Sequence, residues 1–472
     1  MRSKFSFPLR FRFRLLYLVS VLSLTLFTSR LFGQTVTTVY DFGVHGPNYP
    51  GIPSPWTQGR NGMLYGTLEQ GCSLPNDDRP GCFVRFDPST QKLTIYYGFR
   101  EVFTPYSVVM LGSDNYFYGT GTYELYRITL NGIYTTLHTL CVLGGCYLPG
   151  GPPIEATDGN LYGTANPTNS GDSIIYKFTR DGVFSVVYTF DPATSGMAAG
   201  ALMQGSDGKL YVTASWGGAK GCGTVVKVAL YGGLLATHDF DCSAGGSSTS
   251  PAGPLTLASD GNYYGVTTAG GTYGFGTLYQ LTPEFGVTTL YNFGASPTDG
   301  ISPNGGLVQG TDGNLYGTTY GNADWHGHVS VSATLFQWSL SSGYRQLYRF
   351  PDSIIRGGLM QHTNGLFYGS TGVMVPFYLY SLGDIFSLDM GLGPFVALVR
   401  RQGKVGSNAQ ILGQGLTGTS SVTFNGIAAT SFTVVSDTYM TAVVPTGATT
   451  GPIVVTSPTG SLKSNRNFTV TP

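Results

Sequence analysis

A short phrase returns along this chain at a nearly fixed interval, and no other feature restricts its fold as much. Aligned on one tyrosine it reads MLYGT (Tyr65), YFYGT (Tyr118), NLYGT (Tyr162), KLYVT (Tyr211), NYYGV (Tyr264), NLYGT (Tyr316) and LFYGS (Tyr368). The intervals are 53, 44, 49, 53, 52 and 52 residues. Repeats of this length build solenoids, propellers or arrays, because one unit cannot bury its apolar faces alone.

Each repeat divides into four strand-like pieces. In the sixth they are NGGLVQG (304–310), NLYGTT (314–319), TLFQWSL (334–340) and YRQLYRF (344–350). Asp312-Gly313 separates the first two, and Asn61-Gly62, Asp158-Gly159, Asp207-Gly208, Asp260-Gly261 and Asn364-Gly365 stand at the matching places. Such pairs predict a two-residue hairpin loop of type I′ with positive φ at both positions, Gly313 among them. The second repeat has Asp114-Asn115, and asparagine is the next most tolerant residue there. The aspartates could be read as calcium ligands, but the hairpin already accounts for them. Strands such as TLYQLTP (277–283) are apolar on both faces, as expected when each sheet lies between two others.

The fourth strand recurs as KLTIYYGF, GIYTTLHTL, VFSVVYTF, LLATHDF, VTTLYNF and YRQLYRF. A further copy, TVTTVYDF (35–42), precedes the first repeat, whereas the last repeat stops after its third strand, DIFSLDM (384–390). The N-terminal strand is therefore expected to complete the last sheet and close a ring, which removes exposed edges. The expected fold is all-β: a seven-bladed β-propeller of about 50-residue four-stranded repeats over residues 34–393, followed by an Ig-like β-sandwich over 394–472.

Residues 1–33 read as a signal peptide, with a basic head, a 13-residue apolar run from Leu15 to Phe27 and a small residue, Gly33, at the cleavage point. The run falls short of the roughly 20 residues of a membrane span. Cleavage removes six basic residues and leaves 19 basic against 25 acidic ones, a net charge of −6. With charged residues at 11% and an acidic balance, no nucleic acid partner is expected. The expected location is secreted or extracytoplasmic, in the periplasm or at the cell surface, with no transmembrane span left after cleavage.

The pattern GLVQGTDGNLYGTT…GTLYQLTPEFGVTTLYNF resembles the GloVer tandem-repeat family of secreted bacterial proteins over about residues 35–393. The resemblance implies an extracellular propeller-like array and brings no catalytic residues with it. The segment 394–472 resembles an IPT/TIG immunoglobulin-like domain through Gly403, Gly406, Gly413, Gly415, the turn Ser421–Gly426, Val443-Val444-Pro445 and Gly451–Val455. It departs from that pattern at Leu416, where an aromatic usually follows glycine, and at Arg400-Arg401-Gln402, where a proline usually stands. Some members bind DNA; this copy reads as lacking a basic surface and is similar to the extracellular spacers.

Six cysteines in an exported chain predict disulfides, with fifteen connectivities open. Cys222 and Cys242 flank a hairpin whose turn is Tyr231-Gly232-Gly233, equidistant from both. Cys72–Cys82 and Cys141–Cys146 are the other expected pairs. Trp325-His326-Gly327-His328 contains an HxH that could begin a metal site, but no third ligand has a fixed place. Solvated loop residues are the expected reading, with no cofactor. No catalytic constellation is nominated. In a four-stranded up-and-down sheet the loops after the second and fourth strands emerge on one face, and here they are long and aromatic. Tyr49, Trp216, Tyr273, Tyr320 and Trp325 are the ligand-binding candidates, the alternative being that they pack their own loops. The expected function is an exported, non-catalytic binding, adhesion or cell-surface interaction protein, with an extracellular polysaccharide or surface protein as partner. The alternative is a secreted glycan-active enzyme (hydrolase, lyase or oxidase) with its site on the same face.

Overall fold

The recurring phrase folds as the second strand of an antiparallel sheet, and each of its letters has a physical task. In the sixth repeat Gly313 N donates to Gly310 O at 3.0 Å and Gly310 N to Asn314 O at 2.9 Å. Gly313 has φ 84°, while Asp312 stays out of the left-handed region. This is a three-residue loop, a type I turn followed by a glycine bulge, and not the type I′ loop expected from the Asp-Gly pair. The aspartate supplies the reason. Its Oδ1 accepts Asn314 N at 3.2 Å and its Oδ2 accepts the Tyr316 hydroxyl at 2.7 Å, so the side chain holds the turn while only the glycine needs positive φ. The same tyrosine–aspartate bond joins Tyr162 to Asp158, Tyr211 to Asp207 and Tyr264 to Asp260. In the second repeat Asn115 takes the glycine position at φ 71°.

The glycine after the tyrosine is set by the neighbouring strand. Gly163, Gly265, Gly317 and Gly369 lie opposite Tyr176, Tyr279, Phe336 and Phe386 in register. A Cβ on Gly163 would fall 2.3 Å from the Tyr176 hydroxyl, and one on Gly317 would fall 2.4 Å from the Phe336 ring. The ring lies across the bare backbone, a cross-strand arrangement that restores the packing a glycine lacks. Where the fourth repeat has Val212 instead, the partner shrinks to Val226. The threonine that follows ties one sheet to the next: Thr164 Oγ1 donates to Gly200 O at 2.6 Å and Thr213 Oγ1 to Gly253 O at 2.9 Å.

The computed structural model describes residues 34–45, 55–68, 72–74, 77–79, 81–99, 108–142, 145–169, 171–242, 249–323, 329–351, 353–355, 357–372 and 383–471. The chain is all-β in a propeller-like array of antiparallel sheets, with one helical turn among the described residues, at Phe42–His45. In the fifth repeat Pro251–Leu257, Tyr263–Thr267, Thr277–Leu281 and Val287–Asn292 follow one another from the inner to the outer edge. The third repeat's sheet is widened by Cys141–Val142 and Gly145–Pro149. In the last sheet the outer strand is Thr35–Asp41, paired antiparallel with Asp384–Asp389 from Thr35↔Asp389 to Asp41↔Asp384. Tyr40 and Phe42 meet edge to face at 5.0 Å, as Tyr188 and Phe190 do at 5.2 Å and Tyr291 and Phe293 at 5.1 Å where other fourth strands end.

The inner strands approach backbone to backbone. A Cβ on Gly253 would stand 2.7 Å from the Gly305 carbonyl, and one on Gly305 would stand 2.8 Å from Gly358 N. Glycines there let successive strands crowd the centre of the array.

Residues 396–471 form two sheets. One holds Ala397–Leu398, Asn408–Leu412, Tyr439–Val443 and Phe432–Ser436. The other holds Gln402–Lys404, Gly460–Thr471, Gly451–Ser457, Ser421–Phe424 and Ile427–Ala428. Val396, Ile411, Val422, Phe424, Met440, Ile453 and Phe468 fill the space between them, and Leu416 is fully buried in that core.

Candidate functional site

The two faces of the array differ. On the face of the tight turns, the C-terminal sandwich is already seated. Thr438 Oγ1 donates to Arg60 O at 2.7 Å, Gln414 Nε2 to Thr363 Oγ1 at 3.0 Å and Gln410 Nε2 to Ser113 O at 2.9 Å. Arg466 Nη1 donates to Gln309 Oε1, and Arg400 bonds to Thr157 O at 3.3 Å. Arg60 lies 4.6 Å over the Tyr439 ring, and Leu412 and Tyr439 share an apolar cluster with Tyr65 and Phe117. Turns of the first, second, third, sixth and seventh repeats are thus engaged.

The opposite face carries the loops after the second strands. Those of the fourth and fifth repeats, 217–223 and 270–276, have one backbone shape. Gly217, Gly218, Gly221 and Gly223 all have positive φ, as do Gly270, Gly271, Gly274 and Gly276. Each is closed by an isolated bridge, Gly217↔Cys222 and Gly270↔Phe275. Each is also pinned by the end of the fourth strand: Ala219 N donates to Asp239 Oδ1 at 2.7 Å, and Thr272 N to Asn292 Oδ1 at 2.9 Å. At two of these positions an added side chain would also strike the clamp: a Cβ on Gly218 would fall 2.3 Å from Asp239 Oδ1, and one on Gly271 would fall 2.7 Å from Asn292 Oδ1.

On this rigid frame Trp216 is 53% exposed and Tyr273 49% exposed, with Phe275 at 45% beside it. Trp216 is the last residue of the strand Leu210–Trp216, one position before the loop in which it was expected. Tyr320 is half-buried, with its amide donating to Ser302 O at 2.9 Å. Tyr49, Trp325, His326 and His328 lie outside the described residues. Among the described residues no group of three or more His, Cys, Asp and Glu side chains could hold a metal.

Cys222–Cys242 and Cys141–Cys146 are disulfides. The first ties the chain before the strand Thr224–Val228 to the chain after Leu234–Asp239. Cys82 is disulfide-bonded, and the side chain of Cys72 lies outside those described. The titratable groups of the turns serve structure. Burial tends to raise the Asp260 pKa, but bonds from Asn262 and Tyr264 win and lower it. Burial, helped by that carboxylate, pushes Tyr264 up to about 12.

Two features escaped sequence reasoning. One is a surplus of cations in the sandwich: residues 394–472 hold Arg400, Arg401, Lys404, Lys463 and Arg466 against Asp437 alone. The spacing of those residues, three within five positions, was the signal available. The other is the glutamine that ends the inner strand, such as Gln58, which bonds to Thr363 of the last repeat.

No helix among the described residues is long and apolar enough to cross a membrane. A sequence comparison with curated proteins finds no match. Among solved structures, the chain is similar to an oligogalacturonate lyase in complex with manganese, at 11% identity over 77% of this chain and 97% of that one, with a TM-score of 0.46. It is similar to the oligogalacturonate lyase of Vibrio parahaemolyticus at 12% identity over 76% and 97%, with a TM-score of 0.45. It is similar to a luciferin-regenerating enzyme at 12% identity over 77% and 98%, with a TM-score of 0.40. At these values the likeness says nothing of chemistry. Residues 148–376, which include the two glycine-framed loops and their neighbours, match the family model of the Gloeobacter/Verrucomicrobia repeat.

Proposed function

We propose that this is an exported binding protein that recognises a glycan or protein partner on the looped face of its array. The observation that carries the reading is the pair of exposed aromatics: Trp216, at the end of the strand that enters one glycine-framed loop, and Tyr273, within the other such loop. Exposed aromatic rings on a rigid frame lose little entropy when they stack on a sugar or an apolar side chain. The opposite face is engaged by the C-terminal sandwich through Arg60, Ser113 and Thr363, which leaves the looped face to meet a partner. In this reading residues 1–33 are a signal peptide, the repeats form a seven-bladed ring, and residues 394–472 are an IPT/TIG-type domain acting as a spacer.

The test is a glycan array on the purified mature protein, followed by mass spectrometry of each captured glycan for cleavage products. Binding without product that is lost in Trp216→Ala and Tyr273→Ala, with the melting temperature kept, supports the reading. Product formation would replace it with a glycan-active enzyme. Binding that survives both substitutions would move the site elsewhere.

A further inference from the structure

The charge of the chain is divided unevenly. Residues 34–393 hold 14 basic and 24 acidic residues, whereas residues 394–472 hold five basic and one acidic. Part of that basic surplus is used in docking: Arg400 lies 3.6 Å from Glu155 through Nε and donates to Thr157 O through Nη2. Its Nη1 has no partner among the described residues. Two positions past Gln402 on the same edge strand, Lys404 is exposed, and its ammonium group likewise has no partner among the described residues.

Between the sandwich and the second and third repeats lies a cleft of about 470 Å³, within the size range of small-molecule sites. Arg400, Lys404, Gln402 and Asn408 line it from the sandwich, with Ser113 and Thr157 across from them. Two cations and a set of neutral hydrogen-bonding groups face one space, and no carboxylate is among the described residues lining it. The single acid of the sandwich is used elsewhere, since Asp437 accepts Gly415 N and Thr417 N. The nearest acid of the repeats, Glu155, is occupied by Ser113 N at 2.8 Å, Ser113 Oγ at 2.6 Å and Arg180 at 3.1 Å.

We propose that this interdomain cleft is a binding site for a small acidic saccharide, its carboxylate or phosphate held by Arg400 Nη1 and Lys404 and its hydroxyls by Gln402 and Asn408. Guanidinium and ammonium groups recognise both oxyanions, and amide groups suit a polyol. The site lies on the face opposite Trp216 and Tyr273, so it stands or falls independently of the reading above.

Isothermal titration calorimetry of the purified chain at low ionic strength with glucuronate, glucose 6-phosphate and glucose decides the matter. Saturable one-to-one binding of at least one acid, none of glucose, and at least tenfold weaker binding by Lys404→Gln at an unchanged melting temperature support the site. The acid that binds identifies the oxyanion. Binding should also weaken as salt is added. Failure of both acids to bind, equal binding of glucose, or undiminished binding by Lys404→Gln overturns the proposal.

Discussion

Thr363 and Gln58 are 305 residues apart in the chain and hydrogen-bond to each other twice. Thr363 N donates to Gln58 Oε1 at 3.0 Å, and Gln58 Nε2 donates to Thr363 Oγ1 at 2.8 Å. The last repeat thereby grips the first. The same two-bond latch joins Thr157 to Gln204, Ser259 to Gln309 and Thr311 to Gln361, so the closing junction is built like the internal ones. Gln58→Ala would leave the buried Thr363 amide unpaired, at a cost of ~1–3 kcal/mol. Urea denaturation should register that loss, and hydrogen exchange should rise in Leu64–Leu68 and Phe367–Ser370 while the fourth and fifth repeats stay protected. Uniform exchange across all repeats would mean that the latch does not localise the weak point.

Gly305 and Gly313 should respond differently to alanine, although both have positive φ. Around Gly313 a Cβ meets nothing within 4 Å, so only the backbone conformation costs, ~1–2 kcal/mol. At Gly305 the same cost is joined by a Cβ 2.8 Å from the Gly358 amide nitrogen, where neither strand can yield without moving its neighbours. Gly305→Ala should therefore lose a further ~1–3 kcal/mol as overpacking. Equal midpoints for the two variants in urea would show that the inner strands separate freely.

Much of this fold was legible because the phrase encodes local chemistry. Asp312, Gly313 and Tyr316 act within one turn and its strand, so their spacing alone betrays a hairpin. The turn type was not legible: it depends on the Asp312 carboxylate choosing Asn314 N and the Tyr316 hydroxyl over solvent. The demand for glycine at Gly253 and Gly305 arises only once the neighbouring repeat is placed against them. Gln58, Gln204, Gln309 and Gln361 recur seven residues before the phrase tyrosine, but that recurrence does not name a partner: for Gln58 it is Thr363, and the bond exists only once the ends meet. At the candidate site, the exposure of Trp216 and Tyr273 agreed with their placement in glycine-rich segments. The seat of the sandwich on the turn face depends on non-local pairs such as Thr438 with Arg60.

His362 sits at the same closing junction and gives it a pH dependence. It is 2% exposed. Its Nδ1 accepts Asn364 N at 3.2 Å, so Nε2 carries the proton and donates to Gly62 O at 2.8 Å. Burial lowers its pKa, against the smaller raising effect of the Gly62 and Asn364 contacts. The unfolded chain then binds a proton that the folded chain refuses, so stability is complete above about pH 6.5 and declines as pH falls below it. His362→Gln should flatten the dependence of the urea midpoint between pH 7 and 5 relative to the parent chain. An unchanged slope would assign the acid sensitivity to other groups.

The disulfide Cys222–Cys242 should matter to global stability and hardly at all to the loop it adjoins. The bond closes a separation of 20 residues, and removing such a constraint from the unfolded chain costs ~3 kcal/mol. The loop 217–223 does not depend on it, because its counterpart 270–276 adopts the same glycine conformations with Phe275 in the place of Cys222. There the Phe275 ring covers Gly294, where a Cβ would approach within 2.4 Å, and Asn292 does the clamping that Asp239 does in the fourth repeat. Peptide mapping without reductant should recover the two cysteines linked. The double variant Cys222→Ala, Cys242→Ala should unfold at lower urea while Ala219 N, bonded to Asp239, keeps its protection from exchange. Loss of that protection in the folded variant would mean that the sulfur bridge, not the aspartate, holds Trp216 and its loop in place.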